Sequence, residues 1–312
     1  MNLPTTRDLI DRLRVDETLR CFCGWRNVKA LPHESKFSRV FSDFALTRLP
    51  QLLQEAVVDR TQANRLIGHI ARDSTAIPVR ERFPQTAQPR QNRRAKSNTK
   101  SKTSKQRLAR AKAAERGTRI QRQRHQTVDQ MLSDLPQQCD IGVKTNSQGH
   151  QHYWRGYKLH LDVADGQIPI SCYLSSASVH DSQVAIPLMR MTSKRVVYLY
   201  DLMDSAYDAE SILAESSHLN HVPIVAPHPR RGTKKPSQCP TSFPPTPTPE
   251  FTWAQQERYN ERTMSERVNA RLKDEFGGNQ IRVRGPIKVM AHLAFGLLAL
   301  TVDQWLRMIP SG

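Results

Sequence analysis

Four side chains that could bind a charged substrate occur within residues 259–273, which read YNERTMSERVNARLK. On an α-helix, Arg262 and Glu266 are four residues apart and therefore lie on one face, one turn from each other. Lys273 follows Glu266 by seven residues and returns to that face two turns later. The helix would then present Tyr259, Arg262, Glu266 and Lys273 along one stripe. An exposed helix with ordinary charge pairs would show the same pattern, so the spacing alone leaves both interpretations open.

The order Tyr, two residues, Arg, three residues, Glu, six residues, Lys resembles the Y-R-E-K signature of insertion-sequence DDE transposases, in the family named after insertion sequence four. In that family the glutamate is the third metal-binding carboxylate, and the arginine and lysine contact DNA phosphates. The resemblance implies a catalytic, metal-binding Glu266 and DNA contacts from Arg262 and Lys273. It implies a place beside the DNA for Tyr259, whose ring could pack or stack.

Asp73 is the first of two further acidic candidates. Residues 65–77, RLIGHIARDSTAI, are apolar and β-branched between polar flanks, which predicts a buried strand with Asp73 at or near its end. A buried aspartate is costly unless it is paired or binds a metal. A turn aspartate at the end of a strand is the alternative. The Asp-Ser-Thr context resembles that of the first catalytic aspartate of the DDE transposases.

The second acidic candidate lies in the segment YDLMDSAYD, residues 200–208. In the DDE transposases a catalytic aspartate stands just beyond a strand, before a small pair and a tyrosine, and Asp204 resembles it. The usual glycine before that tyrosine is alanine here. Asp201, inside or at the end of the predicted strand, remains the alternative. We interpret Asp208 as a cap of the next helix.

Three carboxylates would suit phosphodiester chemistry. The attack of water or of a DNA 3′ hydroxyl requires a deprotonated nucleophile and stabilised charge on the attacking and leaving oxygens, and two divalent ions about 4 Å apart supply both. Hard ions such as Mg²⁺ bind carboxylate oxygens and keep several waters. We therefore expect Asp73, Asp204 and Glu266 to be the catalytic metal ligands of two Mg²⁺ ions, with Mn²⁺ able to substitute.

The order of the predicted elements indicates a mixed α/β or α+β fold. Residues 153–164 and 168–178 alternate around a turn at Asp165 and Gly166, which predicts a hairpin. Two later apolar runs predict buried parallel strands between helices. The resemblance implies a ribonuclease-H-like mixed sheet flanked by helices, with the first strand central and the fourth beside it. A signature helix, residues 253–276, which contains the Tyr-Arg-Glu-Lys spacing, would follow. A terminal helix would begin after Pro286.

We expect two regions in the chain. Residues 1–62 would form a small helical N-terminal region, a candidate for DNA binding that is short compared with the family's. Residues 63–312 would form the catalytic domain, interrupted by a basic insert at 85–127 and a proline-rich loop at 229–250.

The formal charge of +18 favours a polyanionic partner. Residues 85–126 hold fourteen Lys and Arg residues against the single Glu115, and too few apolar residues for a core. We expect this stretch to bind double-stranded DNA with a steep salt dependence. The named candidates are Arg93, Arg94, Lys96, Lys105, Arg107 and Arg110. A disordered solubilising insert is the alternative interpretation.

The remaining composition favours a bacterial cytoplasmic protein, associated with the nucleoid when bound to DNA. The five cysteines are irregularly spaced, which indicates reduced thiols rather than a zinc site. The N-terminus lacks a signal segment, and the apolar run at 289–302 is short for a membrane span. We expect Trp253 to be a core residue rather than a base-stacking one.

The function predicted from these features is that of a DNA transposase, a polynucleotidyl transferase and endonuclease that cleaves transposon ends and transfers the 3′ hydroxyl into target DNA. The resemblance implies a homodimer in the synaptic complex. Two alternatives stay open: an inactive transposase-derived DNA-binding protein, and a ribonuclease-H-like nuclease without strand transfer.

Overall fold

A six-stranded mixed sheet forms the centre of the molecule. The computed structural model describes residues 5–62, 64–81, 117–145, 148–226 and 251–308. The strands are β1 (Leu66–Pro78), β2 (Asp140–Thr145), β3 (Gln151–Ala164), β4 (Ile168–Ser176), β5 (Val197–Met203) and β6 (Val222–Val225). They run in the order β4-β3-β1-β5-β6, with β2 paired to the first part of β3.

Strand β1 is central, as predicted. It pairs antiparallel with β3 and parallel with β5, and β5 pairs parallel with β6. β3 and β4 form the predicted hairpin, because Gly166 (φ 78°) and Gln167 (φ 62°) take the left-handed conformations of a tight turn. The strand order and the flanking helices confirm the predicted fold class.

Strand β2 was not predicted from the sequence. Its residues pair with Gln151–Gly156 at the start of β3. Gly142, which lowers the strand signal of this segment, is required by packing, because a Cβ atom there would lie 2.2 Å from the ring of Trp154. Gly142 therefore weakens the sequence signal of β2 and at the same time leaves the space for Trp154 that the strand needs.

Helices cover both faces of the sheet. Those of the described chain are α1 (Thr6–Val15), α2 (Glu17–Phe22), α3 (Glu34–Leu46), α4 (Leu49–Gln62), α5 (Arg119–Gln123), α6 (Val128–Ser133), α7 (Ser182–Ser193), α8 (Glu210–His218), α9 (Trp253–Asn260), α10 (Thr263–Asp274) and α11 (Pro286–Met308). Helices α10 and α11 supply Met264, Val268, Leu272 and Leu297 to the core against β1 and β3. On the other face, α7 and α8 pack Ile186 and Ile212 with Met203 of β5.

The N-terminal helices pack on the terminal helix. Thr5 caps α1 by accepting a hydrogen bond from the amide of Asp8 at 3.0 Å. Phe41 and Phe44 of α3 lie 6.2 and 6.4 Å from the ring of Phe295 in α11. This aromatic contact and the packing of α4 on α11 join the first 62 residues to the sheet.

Helix α11 is longer than the apolar run at 289–302 suggested. It has 23 residues and is long and apolar enough to cross a membrane. However, 44% of its 18-residue apolar segment is buried inside the protein. The length of the apolar run therefore underestimates the length of the helix that contains it. The helix packs against α3, α4 and β4, as a core helix does.

The predicted signature helix is two helices, α9 and α10. Around the break, the amide of Arg262 bonds to the carbonyl of Tyr259, three residues back instead of four. The hydroxyl of Thr263 donates to the carbonyl of Asn260 at 3.0 Å, and that of Ser265 donates to the carbonyl of Arg262 at 2.8 Å. These side chains compete for the backbone acceptors and tighten the turn.

Candidate active site

Asp73 lies in the middle of β1, opposite Leu161 of β3. The expectation of a strand end was therefore incomplete, because β1 continues to Pro78 along β3. Pairing with β5, however, ends at Ala71 and Leu202, so Asp73 does lie just beyond the end of that ladder. Its half-buried carboxylate accepts a hydrogen bond from the side-chain amide of Asn269 in α10, at 3.0 Å.

Asp204 follows β5 directly and is also half-buried. It caps a short 3₁₀ turn, Ser205–Tyr207, by accepting a hydrogen bond from the amide of Ala206 at 2.9 Å. Because β1 and β5 are parallel neighbours, Asp73 and Asp204 both stand two residues beyond the last paired residues of the two strands. The structure therefore brings these two predicted acids together.

The two carboxylates repel each other. Burial raises the pKa of Asp73 to about 6, and the negative charge of Asp204 adds to that increase. Burial likewise raises the pKa of Asp204, with a further contribution from the charge of Asp181. Buried acids that lack enough positive charge are a favourable place for a cation.

Glu266 is on the first turn of α10 but is not turned toward the two aspartates. Its carboxylate accepts a hydrogen bond from Arg262 Nη2 at 2.7 Å, and its side chain is 53% exposed. Asn269, one turn further along the same helix, is the residue that reaches Asp73. Three close carboxylates without cations would repel one another, which favours the Arg262 pair. Within the described part of the chain, no three Asp, Glu, His or Cys side chains are grouped as metal ligands.

Positive side chains surround the two aspartates. The charge of Arg262 acts on both carboxylates, and its guanidinium lies 5.7 Å from the ring centre of Tyr259. Lys273 is half-buried, and burial together with the neighbouring charge of Lys144 lowers its pKa. Lys144 also acts on both aspartates from β2. Sequence patterns missed Lys144 because they missed its strand.

The aromatic residues divide between core and surface. Tyr259 packs against Phe251, with ring centres 5.2 Å apart, and against the core between the sheet and α10. Trp253, the first residue of α9, is 59% exposed. The expectation of a core tryptophan was therefore wrong.

His180 and Asp181 lie immediately before α7. The side chain of Asp181 makes no capping hydrogen bond and instead accepts one from Lys158 Nζ at 2.9 Å. The ring of His180 bonds to the hydroxyl of Ser182 at 2.8 Å. Burial alone would raise the pKa of Asp181, but the charge of Lys158 holds it below its ordinary value. Asp181 is a third acid near Asp204.

Asp201, the alternative second acid, is fully buried, and its carboxylate is hydrogen-bonded to side chains in the interior of the protein. It accepts hydrogen bonds from Arg72 at 3.2 Å and from the hydroxyls of Tyr198 and Ser216 at 3.1 and 2.6 Å. Asp208 does not provide the N-cap of the next helix, because that position in α8 is Ala209.

The six basic residues predicted between Arg93 and Arg110 lie outside the described residues, as does the proline-rich loop. The end of the basic stretch is described and contains α5. There Arg119 and Arg122 pair with Asp134 at 3.1 and 3.5 Å, and buried Gln123 donates to the carbonyl of Gln183 at 2.7 Å. This end of the stretch packs on α7 with its arginine charge partly neutralised.

A family model described as the transposase DDE domain matches residues 64–302. The match begins just before β1, ends within α11, and includes all three predicted acids. No curated protein and no solved structure matches the chain.

Proposed function

Because the chain belongs to the transposase DDE domain family, we propose that it cleaves DNA at transposon ends and joins the freed 3′ hydroxyl to target DNA. We assign it to the branch with the Y-R-E-K signature, on the spacing of residues 259–273. The observation that carries the proposal is the meeting of Asp73 and Asp204 beside α10, with Asn269 joining the helix to Asp73.

The residues present fit a divalent cation. Asp73 and Asp204 offer carboxylate oxygen atoms, and burial raises both pKa values because it removes solvent from the charged form. The side-chain oxygen of Asn269 is buried, and no hydrogen-bond partner is recorded for it among the described residues. Oxygen donors of this kind suit Mg²⁺ or Mn²⁺. When bound, a pair of such ions would activate the attacking hydroxyl and stabilise the leaving oxygen.

Glu266 completes the proposed ligand set by exchanging its partner. Arg262 holds the glutamate now, and a DNA phosphate would compete for the planar guanidinium. Once Arg262 binds the phosphate, Glu266 is free to turn toward Asp73 and Asp204. In this way the substrate itself would help to assemble the three acids.

Lys273 and Lys144 would hold the DNA backbone on the other side of the acids, because both interact electrostatically with Asp73. We propose that the basic residues Arg93, Arg94, Lys96, Lys105, Arg107 and Arg110 add sequence-independent contacts with double-stranded DNA. The helical region at 1–62 would contribute to end binding, and residues 63–312 would form the catalytic domain. Two ends must be processed together, so we propose a homodimer that acts on DNA in the cytoplasm.

Replacing Glu266 by Gln tests the proposal. The change keeps the shape and a hydrogen bond to Arg262 but removes the ligand charge, so we expect Mg²⁺-dependent end cleavage to fall by at least about a hundredfold. The substrate is DNA carrying the inverted repeats that flank the reading frame. A pre-cut end in the same assay measures joining separately, which distinguishes a transposase from a nuclease without strand transfer.

Glu275→Gln is a matched control. Glu275 also pairs with an arginine four residues before it, Arg271 at 3.0 Å, and its side chain is 49% exposed. It caps the far end of α10 and should leave cleavage near the wild-type rate. Undiminished cleavage by Glu266→Gln, or an equal loss in both variants, would contradict the assignment of Glu266.

A further inference from the structure

Arg72 precedes Asp73 in β1, and its side chain lies on the opposite face of the sheet, in the interior of the protein. Arg72 Nη2 donates to Asp162 of β3 at 2.7 Å and to Asp201 of β5 at 3.2 Å. Its Nη1 contacts the sulfur of Met203 at 3.2 Å. All three charged side chains are at most 1% exposed. One arginine therefore joins the three central strands of the sheet.

These contacts lie where β1 and β5 stop pairing. The backbone ladder ends at Ala71 and Leu202, and the next residues along the two strands are Arg72 and Met203. Beyond them come the acids Asp73 and Asp204. The guanidinium thus links β1 to β5 at Asp201, one residue before the end of that ladder, on the face opposite the two carboxylates.

Further partners orient the two buried aspartates. Thr192 of α7 donates to Asp162 at 2.7 Å, and Ser216 of α8 donates to Asp201 at 2.6 Å. Asp162 and Asp201 raise the pKa of Arg72 above its ordinary value despite the burial that opposes this, so the arginine stays charged. The network is therefore attached to both helices on this face of the sheet.

Stability alone is a poor reason for such a network. Burying three charges costs desolvation energy, and apolar side chains of similar volume often hold a core as well or better. Among the described residues, Arg72 Nε and Asp162 Oδ1 have no hydrogen-bond partner recorded, so the group is not optimised for stability. What the planar guanidinium adds is direction, because its donors bind carboxylates only in a narrow range of geometries.

We propose that Arg72 is a positioning residue that sets the separation of β1 and β5 at which Asp73 and Asp204 can share a divalent cation. The inference rests on the proposed function, since it concerns the same pair of acids. Asp162 and Asp201 contribute to this role because they bind Arg72 from the two neighbouring strands, β3 and β5.

Neutralising the whole network tests this role. The triple variant Arg72→Met, Asp162→Asn, Asp201→Asn leaves no unpaired buried charge and keeps hydrogen-bonding groups for Thr192 and Ser216. We expect it to fold, as checked by circular dichroism, and to bind Mn²⁺ at least about tenfold more weakly. Binding is measured on the full chain from the loss of the paramagnetic resonance signal of free Mn²⁺, without DNA and without turnover.

A second buried ion pair serves as the control. Arg190 and Glu215 meet at 2.6 Å between α7 and α8, with Glu215 only 2% exposed, and Arg190 also donates to the carbonyls of Gln126 and Arg124. The variant Arg190→Met, Glu215→Gln should alter stability and leave Mn²⁺ affinity within about twofold of wild type. An equal loss of affinity in both variants would overturn the positioning role in favour of a general effect of destabilisation.

Arg72→Lys is a milder variant. If the triple variant does not fold, Mn²⁺ binding by Arg72→Lys tests the positioning role instead. Lysine keeps the charge but cannot bridge two carboxylates with a rigid fork, so Mn²⁺ affinity should fall several-fold. Unchanged affinity in either Arg72 variant overturns the inference while leaving the proposed function intact. A wild-type protein that neither binds Mn²⁺ nor cleaves DNA would instead refute the proposed function.

Discussion

The two faces of the central sheet place their aspartates in different surroundings. On the face of α7 and α8, Asp162 and Asp201 are fully buried and share Arg72. On the face of α10, Asp73 and Asp204 are half-buried, and burial raises their pKa values, with the charge of Asp204 adding to the increase at Asp73. The first pair binds a buried guanidinium directly, whereas the charges of Arg262 and Lys144 offset the burial of the second pair only in part. The comparison therefore distinguishes two structural acids, Asp162 and Asp201, from two acids that can bind a cation from solution, Asp73 and Asp204.

The largest expected difference is between Asp204→Ala and Asp201→Ala. Asp204→Ala loses a proposed metal ligand, so end cleavage should fall by at least about a thousandfold. Its stability should fall by only about 1 kcal/mol, because it loses one capping hydrogen bond. Asp201→Ala leaves two buried hydroxyls and part of Arg72 unpaired, at a cost of about 3–5 kcal/mol.

Urea unfolding and end cleavage measure the two quantities. Cleavage by the folded fraction of Asp201→Ala should fall less than that of Asp204→Ala. The reverse pattern, with Asp204→Ala unfolding the protein and Asp201→Ala removing only activity, would exchange the two roles and make Asp201 the second catalytic acid.

A smaller effect concerns the pH dependence of stability without divalent cations. The folded pKa of Asp73, about 6, exceeds its unfolded value of 3.8. Between these values the folded state binds more protons, so the free energy of unfolding should decrease as pH rises toward 6 and level off above it. The decrease attributable to Asp73 would be about 1–3 kcal/mol.

Asp73→Asn removes that decrease and should be more stable than wild type at pH 7 in EDTA, although inactive. Urea titrations of both proteins at pH 4 and pH 7 would show it. Parallel pH profiles for the two proteins would mean that Asp73 is not a strained carboxylate, and the contrast between the two faces would be lost.

Much of this arrangement could be predicted from local patterns. Alternating residues around Asp165 and Gly166 predicted the β3–β4 hairpin, and the apolar runs predicted β1 and β5. The spacing of Arg262 and Glu266 predicted that the two residues lie one turn apart on the same face, and in the structure they form an ion pair at 2.7 Å. These features depend on neighbouring residues, which sequence periodicity describes well.

The remaining features depend on contacts between distant residues. Arg72 meets Asp162 and Asp201 across 90 and 129 positions of the chain, and no spacing rule relates them. The choice between Asp201 and Asp204 depends on the sheet register, which places Asp201 within the β1–β5 ladder and Asp204 beyond its end. β2 was missed because Gly142, which weakens its strand pattern, is explained only by Trp154 above it.

Anomalous scattering from crystals of the protein grown with Mn²⁺ tests the central claim most directly. The account predicts a Mn²⁺ peak within coordination distance of both Asp73 and Asp204, and none at Asp162 or Asp201, where Arg72 already supplies the charge. A peak at the buried network, or Mn²⁺ bound only at sites remote from Asp73 and Asp204, would contradict it.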